Sequence, residues 1–331
     1  MKKYTATYLI IGGCGFIGSY VVRDLIEKGN KVIIYDFRID YGILNRVVGK
    51  EKLKDMVFIQ GEITDFIHLI SVIKSHKISR IIHLASPLPP ATEENPPMAF
   101  DLMCKGTLNV LEAARIFEVE KVVWASSIAV FGAPEQHPKG RIRNDSPQWP
   151  SHPSYIYGAC KSFDEYLASH YADKYGVDSI GLRYTLVYGP GKVRFTKRTF
   201  ATEMIQKAAL GEPYEVPFGD ATIDWQYVED VSRLTVATSR AKRTKTRVFN
   251  TKGDLRPVKE AVTYLKRLVP DARFTLQPGL FDMPMDFDTT PLEKELGVRP
   301  RYSMEEGILR TLNTFRRQAG FAEVGGGESV G

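Results

Sequence analysis

The feature that most constrains this chain is a run of glycines set between an apolar strand and a helix. Tyr8-Leu9-Ile10-Ile11 is continuously apolar, Gly12-Gly-Cys-Gly15-Phe-Ile-Gly18 follows at once, and Phe16 to Lys28 places apolar residues at helical spacing up to Gly29. A turn bare of side chains lets backbone amides and the positive end of a helix meet a pyrophosphate that Cβ atoms would hold off. Glycines also make ordinary turns, so the triplet alone says little. What gives it meaning is the strand before, the helix after, and Asp36 at the end of the next apolar run, 18 residues beyond Gly18. A carboxylate there can accept from both hydroxyls of an adenosine ribose.

The same rhythm continues through the first half. Strand candidates at Lys31 to Asp36, Met56 to Ile59, Arg80 to Ala85, Lys121 to Ser126 and Ile180 to Tyr184 alternate with helical patterns at Asp65 to His76, Met98 to Glu118 and Ser154 to Tyr175. Apolar strands alternating with helices predict an α/β fold, a doubly wound parallel sheet of Rossmann type. Beyond Tyr188-Gly-Pro-Gly191 the pattern loosens into helices at Thr199 to Leu210 and Pro257 to Leu268. A last helix opens on Ser303-Met-Glu-Glu306, a capping box, and runs to about Arg317. The expected division is a dinucleotide-binding domain over 1–190, with a return to it within 221–252 near Asp224 to Asp230. A smaller, mostly C-terminal α/β substrate-binding or lid domain takes 191–220 and 253–320, and the glycine-rich 321–331 forms a disordered tail.

Composition removes whole classes of function. With 331 residues, 43% hydrophobic and 25% charged, the chain can bury a full core and is neither fibrous nor disordered. A formal charge of +6 suits an anionic cofactor or substrate. The basic clusters at Lys192, Arg194, Lys197, Arg198 and at Arg240 to Arg247 lack interleaved aromatics, so no nucleic-acid partner is expected. Cys14, Cys104 and Cys160 cannot all pair and lack zinc-site spacing, which predicts no metal and a reducing compartment. The apolar run at the start stops at Gly12 and no 18-residue apolar stretch exists, so the expectation is a cytoplasmic protein without a membrane span.

Two further signals carry chemistry. Tyr157-Gly-Ala-Cys-Lys161 sets a phenol and an ammonium one turn apart on one helix face. The cation favours the phenolate and makes Tyr157 a candidate acid/base for an alcohol and its ketone. The spacing recurs at Tyr188-Gly-Pro-Gly-Lys192, where proline and glycines argue against a helix; context selects Tyr157. Ser126 and Ser127 end a strand, at the sheet edge where ligands bind in such folds.

On these residues the chain resembles the extended short-chain dehydrogenase/reductase family, which includes nucleotide-sugar epimerases, dehydratases and related oxidoreductases. The resemblance runs through the glycine loop, Asp36, Gly61-Glu-Ile-Thr-Asp65, His83-Leu-Ala-Ser86, Gly106 to Ala114, Ser126 to Gly132 and Tyr157 to Glu165. It continues in Leu182 to Pro190, Tyr227-Val-Glu-Asp230 and Leu296 to Pro300. It implies Ser127, Tyr157 and Lys161 as the catalytic set, with Lys161 also on the nicotinamide ribose of NAD. Cofactor-binding positions implied are Gly12, Gly15, Phe16, Ile17, Gly18, Asp36, Phe37, Arg38, Glu62, Ile63, Leu84, Ala85, Ser86, Ala125, Ser126, Tyr184 and Leu186. Ser127 is the implied substrate contact, and Arg194 is a further candidate read from its charge alone. Asp36 repels a 2′-phosphate while Arg38 attracts one, so NAD is expected ahead of NADP. The family also implies a homodimer through Met98 to Glu118 and Ser154 to Tyr175.

Departures from the family pattern narrow the reaction. Family dehydratases carry an acidic pair after the strand bearing Ser126; here Ser127-Ile128 follows, so neither a dehydratase nor a decarboxylase is expected. Epimerases often hold the nucleotide diphosphate with an Asn and an Arg at places taken here by Leu186 and Ile223, and a further family Asn is Met103. Arg194, Lys197 or Arg198 could compensate. The expectation is an NAD-dependent oxidoreductase acting on a small or sugar-like secondary alcohol or ketone. The alternative is a nucleotide-sugar 4-epimerase with retained NAD and an atypical diphosphate site. A non-catalytic dinucleotide sensor has no need of the Ser-Tyr-Lys set. Pro87 to Pro97 is expected to loop over the site, and Phe218, Trp225 and Tyr227 could line an apolar pocket.

Overall fold

Thr7–Ile11 (β1) is buried along almost its whole length, as a strand covered on both faces must be. It pairs in parallel with Lys31–Asp36 (β2) on one side and with Arg80–His83 (β4) on the other, while Val57–Gln60 (β3) extends the sheet beyond β2. Lys121–Ser127 (β5) and Ser179–Tyr184 (β6) follow on the β4 side, again parallel. The structure, a computed structural model, describes residues 5–325 apart from 55, 138–139, 152–153, 193–195 and 197–198.

The chain then forms Val187–Tyr188 (β7), Tyr214–Val216 (β8) and Thr222–Tyr227 (β9). Val248–Asn250 (β10) pairs in parallel with β6 and completes a seven-stranded sheet in the order β10-β6-β5-β4-β1-β2-β3. Because the chain builds outward from β1 to β3 and then restarts at β4, the order reverses between β1 and β4. Their carboxyl ends are the switch point where such sheets take ligands. The expected return to this sheet is thus made by Val248–Asn250. The Asp224 stretch lies in β9, which pairs in parallel with β7 and antiparallel with Asp254–Pro257 (β11) in a separate sheet. Phe274–Leu276 (β12) pairs with β8.

The chain forms two compact units. One runs up to Tyr184 and includes Val231–Thr251 and Phe287–Arg299; the other holds Thr185–Asp230, Lys252–Asp286 and the stretch from Pro300 on. In the first, Leu9, Ile33, Ile81, Val122 and Trp124 from the strands pack with Leu69, Leu111 and Ala168 from the helices Phe66–His76, Gly106–Ile116 and Tyr155–Tyr175. The pattern over Met98 to Glu118 predicts one helix. The structure interrupts it: Pro96–Phe100 passes through a wide π turn at Asp101–Lys105 before Gly106–Ile116. In the second unit the Met304–Gln318 helix starts as expected, Ser303 Oγ accepting from the Glu306 amide and Glu306 from that of Ser303. Among the described residues no helix is long and apolar enough to cross a membrane.

Candidate active site

The glycine loop closes on itself because its atoms leave no room for side chains. A Cβ on Gly12, whose φ is +85°, would come within 2.7 Å of the Ala85 amide nitrogen, and one on Gly18 within 2.2 Å of the Gly12 carbonyl oxygen. The loop is thereby pressed against the segment that follows β4, whose Leu84 and Ala85 amides donate to the Ile11 carbonyl. The helix Phe16–Glu27 then starts at Gly15 with no side-chain cap and no acid in its first turn. Its amides and positive end face outward past Gly15, Phe16 and Ile17, which are exposed or half-buried. This cradle fits a pyrophosphate.

Asp36 ends β2 beside the loop and accepts from the Cys14 amide at 3.0 Å. Burial pushes its carboxyl up from the ordinary value, against the amides of Cys14, Phe37 and Arg38 that favour the charged form. Phe37 and Arg38 are exposed, and Arg38 pairs with Asp40 at 3.6 Å. Glu62 and Ile63 form the next wall. The Tyr35 hydroxyl donates to the Glu62 carbonyl at 2.9 Å and Asn109 Nδ2 to that of Ile63 at 2.9 Å.

At the end of β5 the two serines part. Ser126 is buried and donates to Glu165 Oε1 at 2.5 Å, whereas half-buried Ser127 accepts from the Ala129 amide at 3.2 Å and keeps its own proton to give. Across from them the Tyr155–Tyr175 helix presents Tyr157 and Lys161. Lys161 is buried, its Nζ donates to the Ala125 carbonyl at 2.7 Å and lies 5.8 Å from the centre of the Tyr157 ring. Gly158 makes this approach possible, since a Cβ there would stand 2.6 Å from the Ala129 carbonyl oxygen. At the start of the helix Ser154 contributes no side-chain cap; the amides of Ile156 and Tyr157 donate to the two oxygens of Glu93, each at 3.0 Å.

Behind Lys161 the interior is polar. His83 is pushed down to about 3 by burial and by the Lys161 charge, so its imidazole is neutral, and its Nδ1 has no partner among the described residues. Asp164, one turn beyond Lys161, is pushed up to about 7 by burial. The Lys161 charge draws it partly back, and neither Asp164 oxygen has a hydrogen-bond partner among the described residues.

The first unit therefore brings Gly12 to Gly18, Asp36, Glu62, Ile63, Leu84 to Ser86, Ala125 to Ser127, Tyr157 and Lys161 to the carboxyl edge of its sheet. Tyr184 closes β6 at the same edge, with its side chain buried and its hydroxyl against Thr235 Oγ1 at 2.6 Å. Leu186 belongs to the second unit, where it is half-buried, and Arg194, Lys197 and Arg198 lie outside the described residues. Phe218, Trp225 and Tyr227 also belong there. Trp225 and Tyr227 are buried against Tyr188, as core aromatics rather than an open pocket. Sequence reasoning missed Glu93 and the bidentate Arg183–Glu165 pair under Ser126, whose partners are far apart in the chain.

Comparison with known proteins identifies the family. Residues 8–251 match the model of the NAD dependent epimerase/dehydratase family. A UDP-glucuronate 4-epimerase of Thermodesulfobacterium geofontis (strain OPF15) is 31% identical over 322 residues, covering 92% of this chain and 95% of its own. The structure of an L-threonine dehydrogenase from Cupriavidus necator is similar at a TM-score of 0.81 and 25% identity, covering 92% of this chain and 99% of that one. So is a UDP-glucose 4-epimerase of Thermus thermophilus in complex with NAD, at 0.78 and 25%, covering 94% and 99%. The chain belongs to the NAD dependent epimerase/dehydratase family, within the extended short-chain dehydrogenases/reductases.

Proposed function

We infer that this family member is an NAD-dependent oxidoreductase that interconverts a secondary alcohol and a ketone on a small or sugar-like substrate. The observation that carries the reading is Lys161, fixed by Ala125 at the end of the Ser127 strand and set one turn from Tyr157. Bound NAD supplies the hydride acceptor or donor. The chain supplies the rest. The amides after Gly12 and the open helix start hold the pyrophosphate, and Asp36 holds the adenosine ribose. Lys161 has two protons left for the nicotinamide ribose and places its charge near the phenol. Ser127 donates to the reacting oxygen, and Tyr157 takes or returns its proton. Buried Asp36 and the engagement of Arg38 by Asp40 favour NAD over NADP. The three free cysteines, all buried, suit a reducing compartment such as the cytoplasm.

Net oxidation or reduction is favoured by the second unit's own residues. Ile223, where family epimerases carry a diphosphate-binding Arg, is fully buried in β9. Its neighbour Asp224 accepts from Thr185 Oγ1 and the Gly253 amide. A nucleotide-sugar 4-epimerase is the second reading, supported by the identity to the UDP-glucuronate enzyme. The deciding experiment strips the protein of cofactor and offers NAD with secondary alcohols, L-threonine, sugars and nucleotide sugars. NADH absorbance is followed beside product analysis. The expected result is net NADH from an alcohol or amino-alcohol; a converted nucleotide sugar with no net NADH would replace this reading with the second.

The helices Pro96–Phe100, Gly106–Ile116 and Tyr155–Tyr175 leave Phe100, Leu108, Tyr155, Phe163 and Tyr166 exposed, Tyr166 by 77%. An apolar strip of this kind is a docking surface, and the reading assigns it to a second copy of the chain. Sedimentation velocity is expected to show a dimer that Tyr166→Asp shifts to monomer. A monomeric wild type at all concentrations overturns that assignment.

A further inference from the structure

We propose that Glu93 is the positioning residue for Tyr157, tying the start of the Tyr155–Tyr175 helix to the segment that follows β4. The proposal rests on the reading of Tyr157 as acid/base. A helix begins with amides that have no partner within it. This one finds none from its N-cap residue Ser154 and carries no acid in its own first turn. Glu93, more than sixty positions earlier, takes that place with both oxygens: Oε2 accepts from Ile156 and Oε1 from Tyr157, each at 3.0 Å. A carboxylate suits the positive helix end better than a neutral acceptor. Its Oε1 also accepts from Thr92 Oγ1 at 3.2 Å, and Thr92 is itself fully buried, so the carboxylate is held rather than free to swing.

One of the two amides so gripped is that of Tyr157 itself. The phenol's height along the helix axis, and hence its distance from Ser127 on β5, therefore follows Glu93. Glu93 in turn belongs to the short helix Ala91–Glu94, downstream of Leu84 and Ala85, whose amides bind the Ile11 carbonyl under the glycine loop. Cofactor loop and acid/base are thus joined through one side chain. An ordinary helix cap stabilises its helix; this one also sets a reacting group, where a misplacement near 1 Å can cost on the order of 10²-fold in rate.

The test compares wild type with Glu93→Gln and Glu93→Ala, counting folded sites by NAD binding. Hydrogen exchange should show the Ile156 and Tyr157 amides protected in wild type, both roughly 10-fold or more faster in Glu93→Ala, and at least one of them so in Glu93→Gln, whose side chain keeps a single acceptor oxygen. With the panel substrate that turns over, kcat per folded site should fall about 10- to 100-fold with KM nearly unchanged. The isotope effect from deuterium at the carbinol carbon should rise, because the chemical step has become slower. A cap with only a structural role would lower the number of folded sites and leave that isotope effect alone. Unchanged exchange at the two amides overturns the contact, and faster exchange with wild-type kcat and isotope effect overturns the positioning role. Tyr157→Phe run in parallel separates the two readings: if that variant is active the acid/base assignment falls, while the exchange data still decide whether Glu93 holds the helix.

Discussion

Tyr157→Phe is expected to lower turnover per folded site roughly 10²- to 10⁴-fold, the usual share of general acid–base catalysis, while NAD affinity and the fold stay near wild type. Removing the hydroxyl leaves the ring, half-buried and packed beside the small cluster of Ala99, Met103, Cys104 and Cys160, so packing changes little. Among the described residues the Tyr157 hydroxyl makes no hydrogen bond, so its loss strands no partner in the protein. What disappears is a proton donor at the end of the chain Lys161–Tyr157, for which Ser127 cannot substitute, since its proton must stay with the substrate oxygen it orients. Lys161→Ala should act differently. Lys161 is buried and bonded to Ala125, and in the proposed reading it also serves the nicotinamide ribose, so both turnover and NAD affinity should drop. Turnover by Tyr157→Phe within a few-fold of wild type, on any substrate, would remove Tyr157 from the mechanism and leave the fold assignment untouched.

Much of this site could be read from the chain because its constraints are local. Gly12 and Gly18 sit within seven residues of each other and meet in space as they do in sequence, and Asp36 closes the next strand. Tyr157 and Lys161 lie on one helix, so their spacing fixes their geometry. What could not be read is set between distant segments. Ser126 and Ser127 are adjacent and chemically identical; only the position of Glu165 makes one a structural donor and leaves the other available. Tyr184 ends a strand at that edge, and its hydroxyl meets Thr235, a partner that periodicity cannot foresee. The broken Met98 to Glu118 helix contains no proline, and its one glycine, Gly106, closes the π turn rather than lying in it; Asp101–Lys105, a turn of ordinary residues, widens the backbone there. Glu93 had no signal at all beyond an acid in a proline-rich segment, because a cap supplied by another element leaves no trace at i, i+3 spacing.

The second large effect concerns what holds Ser127 in place. Arg183 on β6 meets Glu165 on the Tyr155–Tyr175 helix through two parallel bonds, Nε to Oε1 at 2.8 Å and Nη2 to Oε2 at 2.7 Å, with both side chains 5% exposed. Each Glu165 oxygen takes one more donor, and four of the five Arg183 N–H donors are engaged. Ser126 and Gln148 donate to Glu165, while Arg183 Nη1 reaches the Asn144 carbonyl and Asn250 Oδ1, and the guanidinium lies 4.8 Å from the centre of the Phe131 ring. The pair thus pins the strand end bearing Ser127 to the helix bearing Tyr157. Arg183→Met fills similar space but leaves a buried carboxylate with only neutral donors, and should cost about 3–5 kcal/mol in denaturant unfolding. The double variant Arg183→Met/Glu165→Met strands no charge, so its cost should fall well below the sum of the singles, though not to zero, because Ser126, Gln148 and Asn250 lose partners. A loss below about 1 kcal/mol for Arg183→Met, or strictly additive singles, would mean the two charges are not bound to each other in solution, and Ser127 would then owe its position to β5 alone.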